Sequence, residues 1–249
     1  GNITIAMLVV GAVRYLNPSL PDYVKISISL FFILVFNFMA YKGMQTSAVM
    51  LVTFAFITLG SLLGLMIPGL FLLDFGNFAP FYTHPLPMIF VTIFFIAETF
   101  FGWETATFLS EETKDPEKVL PKALVHGTLI IAVISILLVI AMMGVVHWTK
   151  LGDAKAPLAL LSSAIYGGMG ANVFTILVYL SIIGSVAGWI VSAPRLILAL
   201  AEDRLFFRQC ASIHKKNGTP HVAIIFQTIL TSVLVIIGAG SYEVLLELL

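Results

Sequence analysis

Two carboxylates, Glu98 and Glu104, flank Gly102 inside a run that is otherwise apolar from Pro87 to Ser110. A charge at the centre of a membrane helix costs about 2.5–3.5 kcal/mol on insertion scales, so an acid kept there usually handles an ion, a proton or a charged substrate. The plain alternative is a protonated or paired glutamate that only ties helices together. In an unbroken helix, residues six apart lie about 120° apart around the axis, and the two acids face different neighbours. Gly102 permits another arrangement: an unwound stretch, Thr99–Gly102, whose bare amides and carbonyls grip a small charged molecule. A close helix crossing at Gly102 is the competing reading.

A second cluster is Gly184-Ser185-Val186-Ala187-Gly188-Trp189. Small residues at 184, 185, 187 and 188 permit close helix contact, and packing is their default meaning. Trp189 lies away from the interfacial belts where Trp is enriched. It can cover a bound ligand or stack on a cation, or it can be a core aromatic. Arg195 follows six residues later, about 9 Å along a helix axis. That depth suits an inner-gate ion pair as well as ordinary snorkelling to the interface. The five histidines are scattered near expected helix ends with no HExxH spacing, and Cys210 is alone. Nothing in the pattern asks for a metal, a cofactor or enzymatic chemistry.

The elements that must position these residues are membrane helices. Hydrophobic residues make up 59% of the 249 residues and charged residues 10%. A soluble domain carries about a quarter charged residues, so lipid has to be the outer solvent here. About 20 apolar residues span a bilayer as a helix. That length rule predicts helices over 2–16, 24–41, 46–73, 87–110, 120–147, 171–201, 222–238 and 241–249, in a single transmembrane domain over 1–249. Turn chemistry separates them, as at Lys42-Gly43, Lys114-Asp115-Pro116 and Asn217-Gly218-Thr219-Pro220. Both ends look cut, and the chain is expected to be an internal piece of a longer protein.

Charge sets the expected orientation. Alternate loops hold nine basic residues (Lys42, Lys114, Lys118, Lys122, Arg195, Arg204, Arg208, Lys215 and Lys216) against four (Arg14, Lys25, Lys150 and Lys155). The richer set belongs on the cytoplasmic side. Formal net charge is +0, which gives no reason to expect a nucleic-acid partner.

Gly102-Trp103-Glu104, Thr107-Phe108-Leu109-Ser110-Glu111-Glu112, Lys114-Asp115-Pro116 and Pro121 resemble the sixth helix and following loop of the amino acid–polyamine–organocation permeases. Arg195-Leu196, Ala201 through Phe206, His214-Lys215 and Gly218-Thr219-Pro220 resemble that superfamily's eighth helix and the entry to its ninth. Gly1-Asn2-Ile3 with Ala6-Met7, and Gly184-Ser185 with Gly188-Trp189, are most similar to the arginine/agmatine antiporter branch. Glu98 stands where those antiporters carry a gating aromatic, and Thr58 where some relatives carry a lysine in place of a sodium ion.

This resemblance implies an all-α integral membrane protein with the LeuT-type fold, covering roughly helices 3 to 10. It also implies a multi-pass cell-membrane carrier that moves amino acids by alternating access. The substrate would sit against Thr99, Phe100, Phe101 and Gly102 of a broken sixth helix. Phe101 and Trp189 would line the side-chain pocket, and Asn2 would add a polar contact. Glu104 would sense the binding state or take part in proton coupling, and Arg195 would serve the inner gate. Glu98 in the pocket favours a cationic amino acid or polyamine, because a positive partner offsets the cost of ionising it. The alternatives are a neutral amino acid with Glu98 as proton carrier, or a membrane subunit that transports nothing. A channel would need a filter of repeated carbonyls or charges, which this chain lacks. A homodimer is left open.

Overall fold

Polar side chains point inward in α2 (Asp22–Lys42), the reverse of a soluble amphipathic helix. Ser29, Ile33, Phe36, Asn37 and Ala40 are buried at helical spacing, while Phe31, Leu34 and Phe38 are exposed. With lipid outside, large apolar groups cover the surface and small or polar groups mediate helix contact. Hydroxyls that face outward are satisfied within their own helix. Thr53, Thr92 and Thr128 each donate to the carbonyl four residues back, at 2.8, 2.9 and 2.8 Å. That local bond lets a threonine sit in hydrocarbon without an orphaned donor.

The computed structural model describes all residues except 18, 81–84, 98–101, 155, 239–244 and 246–249. In chain order its helices are α1 (Asn2–Leu16), α2, α3 (Met44–Phe71), α4 (Pro87–Ala97), α5 (Pro116–Val145), α6 (Trp148–Gly152), α7 (Pro157–Glu202) and α8 (His221–Ile237). Short 3₁₀ turns cover Phe75–Phe78 and Arg208–Ala211, and a longer one covers Trp103–Glu112. No strand occurs among the described residues. By length and composition α2, α3, α5 and α7 can each cross a membrane. The chain is an all-α, multi-pass membrane protein.

Two expected spans differ from the observed ones. The α-helix expected over 87–110 is α-helical to Ala97 and 3₁₀ from Trp103 onward, with Gly102 at φ 113° and ψ −15° in front of it. No α-helix passes through that conformation, which only glycine adopts readily. The helix expected from Ala171 begins instead at Pro157 and is interrupted at Gly167, φ 75° and ψ −170°. Residues 157–170 lie outside every helix expected from the sequence. Glycine's freedom is spent there on one residue, with helix on both sides.

The chain divides into two units, one of Gly1–Thr58 with Ile176–Leu249 and one of Leu59–Thr175. The first is built on α1, buried nearly all round at Ile5, Ala6, Val9, Val10, Ala12 and Val13. The apolar stripe Ala223, Ile224 and Val235 of α8 belongs to the same core. Gly184 of α7 meets Phe54 of α3 so closely that an added β-carbon would lie 2.6 Å from the phenylalanine's Cβ. In the second unit, the Phe75–Phe78 turn docks on the end of α5. The Asp74 N–H and the Asn77 Nδ2 both donate to the Gly144 carbonyl, at 2.9 and 2.8 Å.

Candidate functional site

Asn2 stands at the first turn of α1, and its Oδ1 accepts a hydrogen bond from the Thr231 hydroxyl of α8 at 3.1 Å. Thr231 is buried, so this bond fixes the asparagine amide from behind. Gly1 lies beside the indole of Trp189, near enough that a β-carbon on it would be 3.8 Å from Cζ3. The start of α1 and the middle of α7 therefore meet in the first unit, and Trp189 is only partly buried there. Immediately before it stands Gly188; apart from its chain neighbours and its own helix backbone, no atom lies within 4 Å of where its β-carbon would be. Of the small-residue cluster, Gly184 makes the close helix contact, and a β-carbon at Gly188 would meet no other helix.

Arg195 is 6% exposed, so its charge does not reach the surface. The guanidinium turns back along α7 to the Val191 carbonyl and reaches Met44 Sδ of α3 at 3.7 Å. Snorkelling does not describe it. Buried arginines hold their charge by filling donors on carbonyls or acids.

In the second unit, Gly102 is the described member of the stretch Thr99–Gly102; Glu98, Thr99, Phe100 and Phe101 lie outside the described residues. The Gly102 carbonyl accepts from both the amide and the hydroxyl of Thr105, at 3.0 and 2.6 Å. Glu104 stands within the 3₁₀ segment Trp103–Glu112. Ten residues is long for that geometry, which rarely exceeds three or four because its hydrogen bonds are poorer. A left-handed glycine followed by a 3₁₀ run ends the α-helical hydrogen-bond pattern at this point in the chain. Among the described residues no three His, Cys, Asp or Glu side chains gather as metal ligands.

Thr231 is the residue that sequence reasoning passed over. It sits in the apolar run of α8, where a threonine usually bonds only its own helix, as Thr228 does to Ile224 at 2.7 Å. The usable signal is its place one turn beyond Gln227: two polar residues at i and i+4 mark one inward stripe.

Comparison with known proteins adds the following. The chain matches the amino acid permease family over residues 1–249. It is 30% identical over 142 residues to the serine/threonine exchanger SteT of Bacillus subtilis (strain 168), covering 55% of this chain and 32% of that protein. It is 25% identical over 154 residues to the branched-chain amino acid permease BcaP of the same organism, covering 60% and 32%. A third relative there, named "Putative arginine/ornithine antiporter", is 29% identical over 136 residues, covering 55% and 29%. The matched stretch thus spans about a third of the length of each relative.

Proposed function

The chain belongs to the amino acid permease family, and from that premise we propose that it supplies most of the transport core of a secondary amino-acid carrier working by alternating access. The observation that carries the reading is the backbone at Gly102: φ 113°, then a 3₁₀ run, within a segment that follows the apolar helix α4. Non-helical backbone survives at membrane depth only where protein buries it or a cavity solvates it. Peptide groups freed there can hold the α-amino and carboxyl groups of an amino acid. Thr99, Phe100, Phe101 and Gly102 would supply that grip. Asn2, and Trp189 whose indole lies beside Gly1, would line the pocket. Glu104 would carry the coupling proton, and Arg195 would hold the cytoplasmic closure.

Glu98 decides the substrate class. As an ionised carboxylate in a low-dielectric pocket it needs a positive partner, which favours a cationic amino acid or a polyamine. The relative named for arginine and ornithine supports this. A second reading, a neutral substrate with Glu98 taking up a proton, is supported by the relatives named for serine/threonine exchange and branched-chain transport.

The test is uptake by the full-length protein in proteoliposomes, with labelled arginine, serine and leucine. For a cation carrier, Glu98→Gln abolishes arginine uptake. For the neutral carrier, serine or leucine uptake persists in Glu98→Gln but loses its dependence on a proton gradient. Equal loss of all three substrates removes the cation argument.

A further inference from the structure

Pro194 lies inside α7. A proline has no N–H, so the carbonyl four residues earlier loses its helical donor. That carbonyl belongs to Ile190, which is fully buried, and it immediately follows Trp189. A buried carbonyl without a donor is costly, most of all in a protein surrounded by hydrocarbon. Here the donor comes from another helix: Gln227 of α8 gives its Nε2 to the Ile190 carbonyl at 3.1 Å. The same nitrogen also reaches the Asn37 Oδ1 of α2 at 3.3 Å. Asn37 is itself held by its Nδ2 on the Ile33 carbonyl at 2.9 Å. Gln227 is fully buried, and its own Oε1 has no partner among the described residues. The amide is thus placed by what it donates to.

The second unit repeats the device independently. Pro68 lies inside α3 and frees the carbonyl of Gly64, and the Tyr166 hydroxyl of α7 donates to it at 2.6 Å. In both units, a proline within a membrane helix is matched by a side-chain donor from a different helix.

We propose that Gln227 is a positioning residue for the substrate pocket: it closes the peptide joint opened by Pro194 and so fixes the part of α7 that presents Trp189. The stretch Ile190–Pro194 is the weakest point of α7 between Trp189 on one side and Arg195 on the other. Gln227 ties that point to α2 through Asn37. Removing the donor leaves the joint free to bend and lets the indole drift from the start of α1. The proposal rests on the reading of Trp189 as a pocket residue.

The experiment is a double-mutant cycle in the full-length carrier, using whichever of labelled arginine or labelled serine the wild type accumulates. Gln227→Met keeps the volume and deletes the donor. It should raise KM roughly tenfold, the scale of one lost buried hydrogen bond, with a smaller change in maximal rate. Pro194→Ala returns an N–H to Ile190, so in that background Gln227→Met should leave KM nearly unchanged. The lost bond to Asn37 is common to both backgrounds and cancels. If Gln227→Met alone does not fold, the double variant should, because its carbonyl is satisfied. Its failure to fold would overturn the proposal, as would an equal KM penalty with and without Pro194. Trp189→Leu, run alongside, separates the two ideas. An unchanged KM in that variant defeats the pocket reading itself. A raised KM there, with Gln227→Met neutral, defeats the positioning role alone.

Discussion

Gly102 and Gly184 show how one residue type reaches two uses. Gly184 needs an absent β-carbon, because Phe54 occupies that space. Gly102 needs a backbone angle, φ 113°, that L-residues seldom take. Holding a side chain in such a region costs on the order of 1–3 kcal/mol. Asparagine tolerates positive φ better than alanine does. Uptake by the full-length carrier should therefore fall in the order Gly102, Gly102→Asn, Gly102→Ala. Equal uptake for all three would mean that the left-handed geometry has no part in transport. The sequence singles out Gly102 because a glycine between two acids in an apolar run is legible as composition. Its angle is not legible, since glycine also sits at close helix crossings. Gln227 and Thr231 went unread for a different reason: their partners, the Ile190 carbonyl and Asn2, lie far away in sequence.

Helices were readable here wherever length and turn residues agree, because a 20-residue apolar run bounded by Pro, Gly or Lys has few other solutions in a bilayer. The exceptions are segments where tertiary contacts overrule local signals. Residues 157–170 lie outside the helices expected from length and turn residues, yet helix forms on both sides of Gly167. Tyr166, just before the break, is pinned by its bond to Gly64 and by stacking on Phe174 at 5.4 Å between ring centres. Sequence alone shows Pro68 and its carbonyl four residues back, but not which donor comes to it. That pairing makes a prediction at the level of the element. Tyr166→Phe keeps the ring and deletes the donor, which should cost about 1 kcal/mol, or roughly 2–4 °C in Tm. In a Pro68→Ala background the backbone N–H replaces the tyrosine hydroxyl, and the same substitution should cost much less. A Tm loss of the same size in both backgrounds would show that the hydroxyl acts elsewhere.

At the scale of the whole molecule the open question is which way the helices run through the membrane. Within each unit, contacts join a connecting segment to a helix end. Asn217 Nδ2 and Thr219 Oγ1 both donate to the Tyr41 carbonyl, at 2.9 and 3.1 Å, so the segment before α8 meets the end of α2. Asp74 and Asn77 meet Gly144, and His147 Nε2 lies 3.3 Å from the Ala79 carbonyl, so the segment after α3 meets the end of α5. Lys42, Arg204, Arg208, Lys215 and Lys216 lie in or beside the first of these segments, and the charge count of the loops leads us to expect that end in the cytoplasm. The 30 residues of α5 extend about 45 Å, enough to cross a bilayer with its headgroups, and Lys118 and Lys150 flank that crossing. Cysteine labelling can read their sides directly, because the native thiol is silent. Cys210 is buried against Ala201 and Ala223, and burial pushes its thiol above the ordinary value of 9.0. Burial disfavours the thiolate, so the fold loses stability only as pH rises past 9.0 toward the folded value. At pH 7 it stays protonated and unreactive. In a full-length carrier cleared of cysteines outside residues 1–249, a membrane-impermeant maleimide at pH 7 should therefore mark Lys150→Cys on intact cells and Lys118→Cys only after permeabilisation, with Cys210 unlabelled. The opposite pattern would turn the whole carrier over, and with it the assignment of Arg195 to the inner closure.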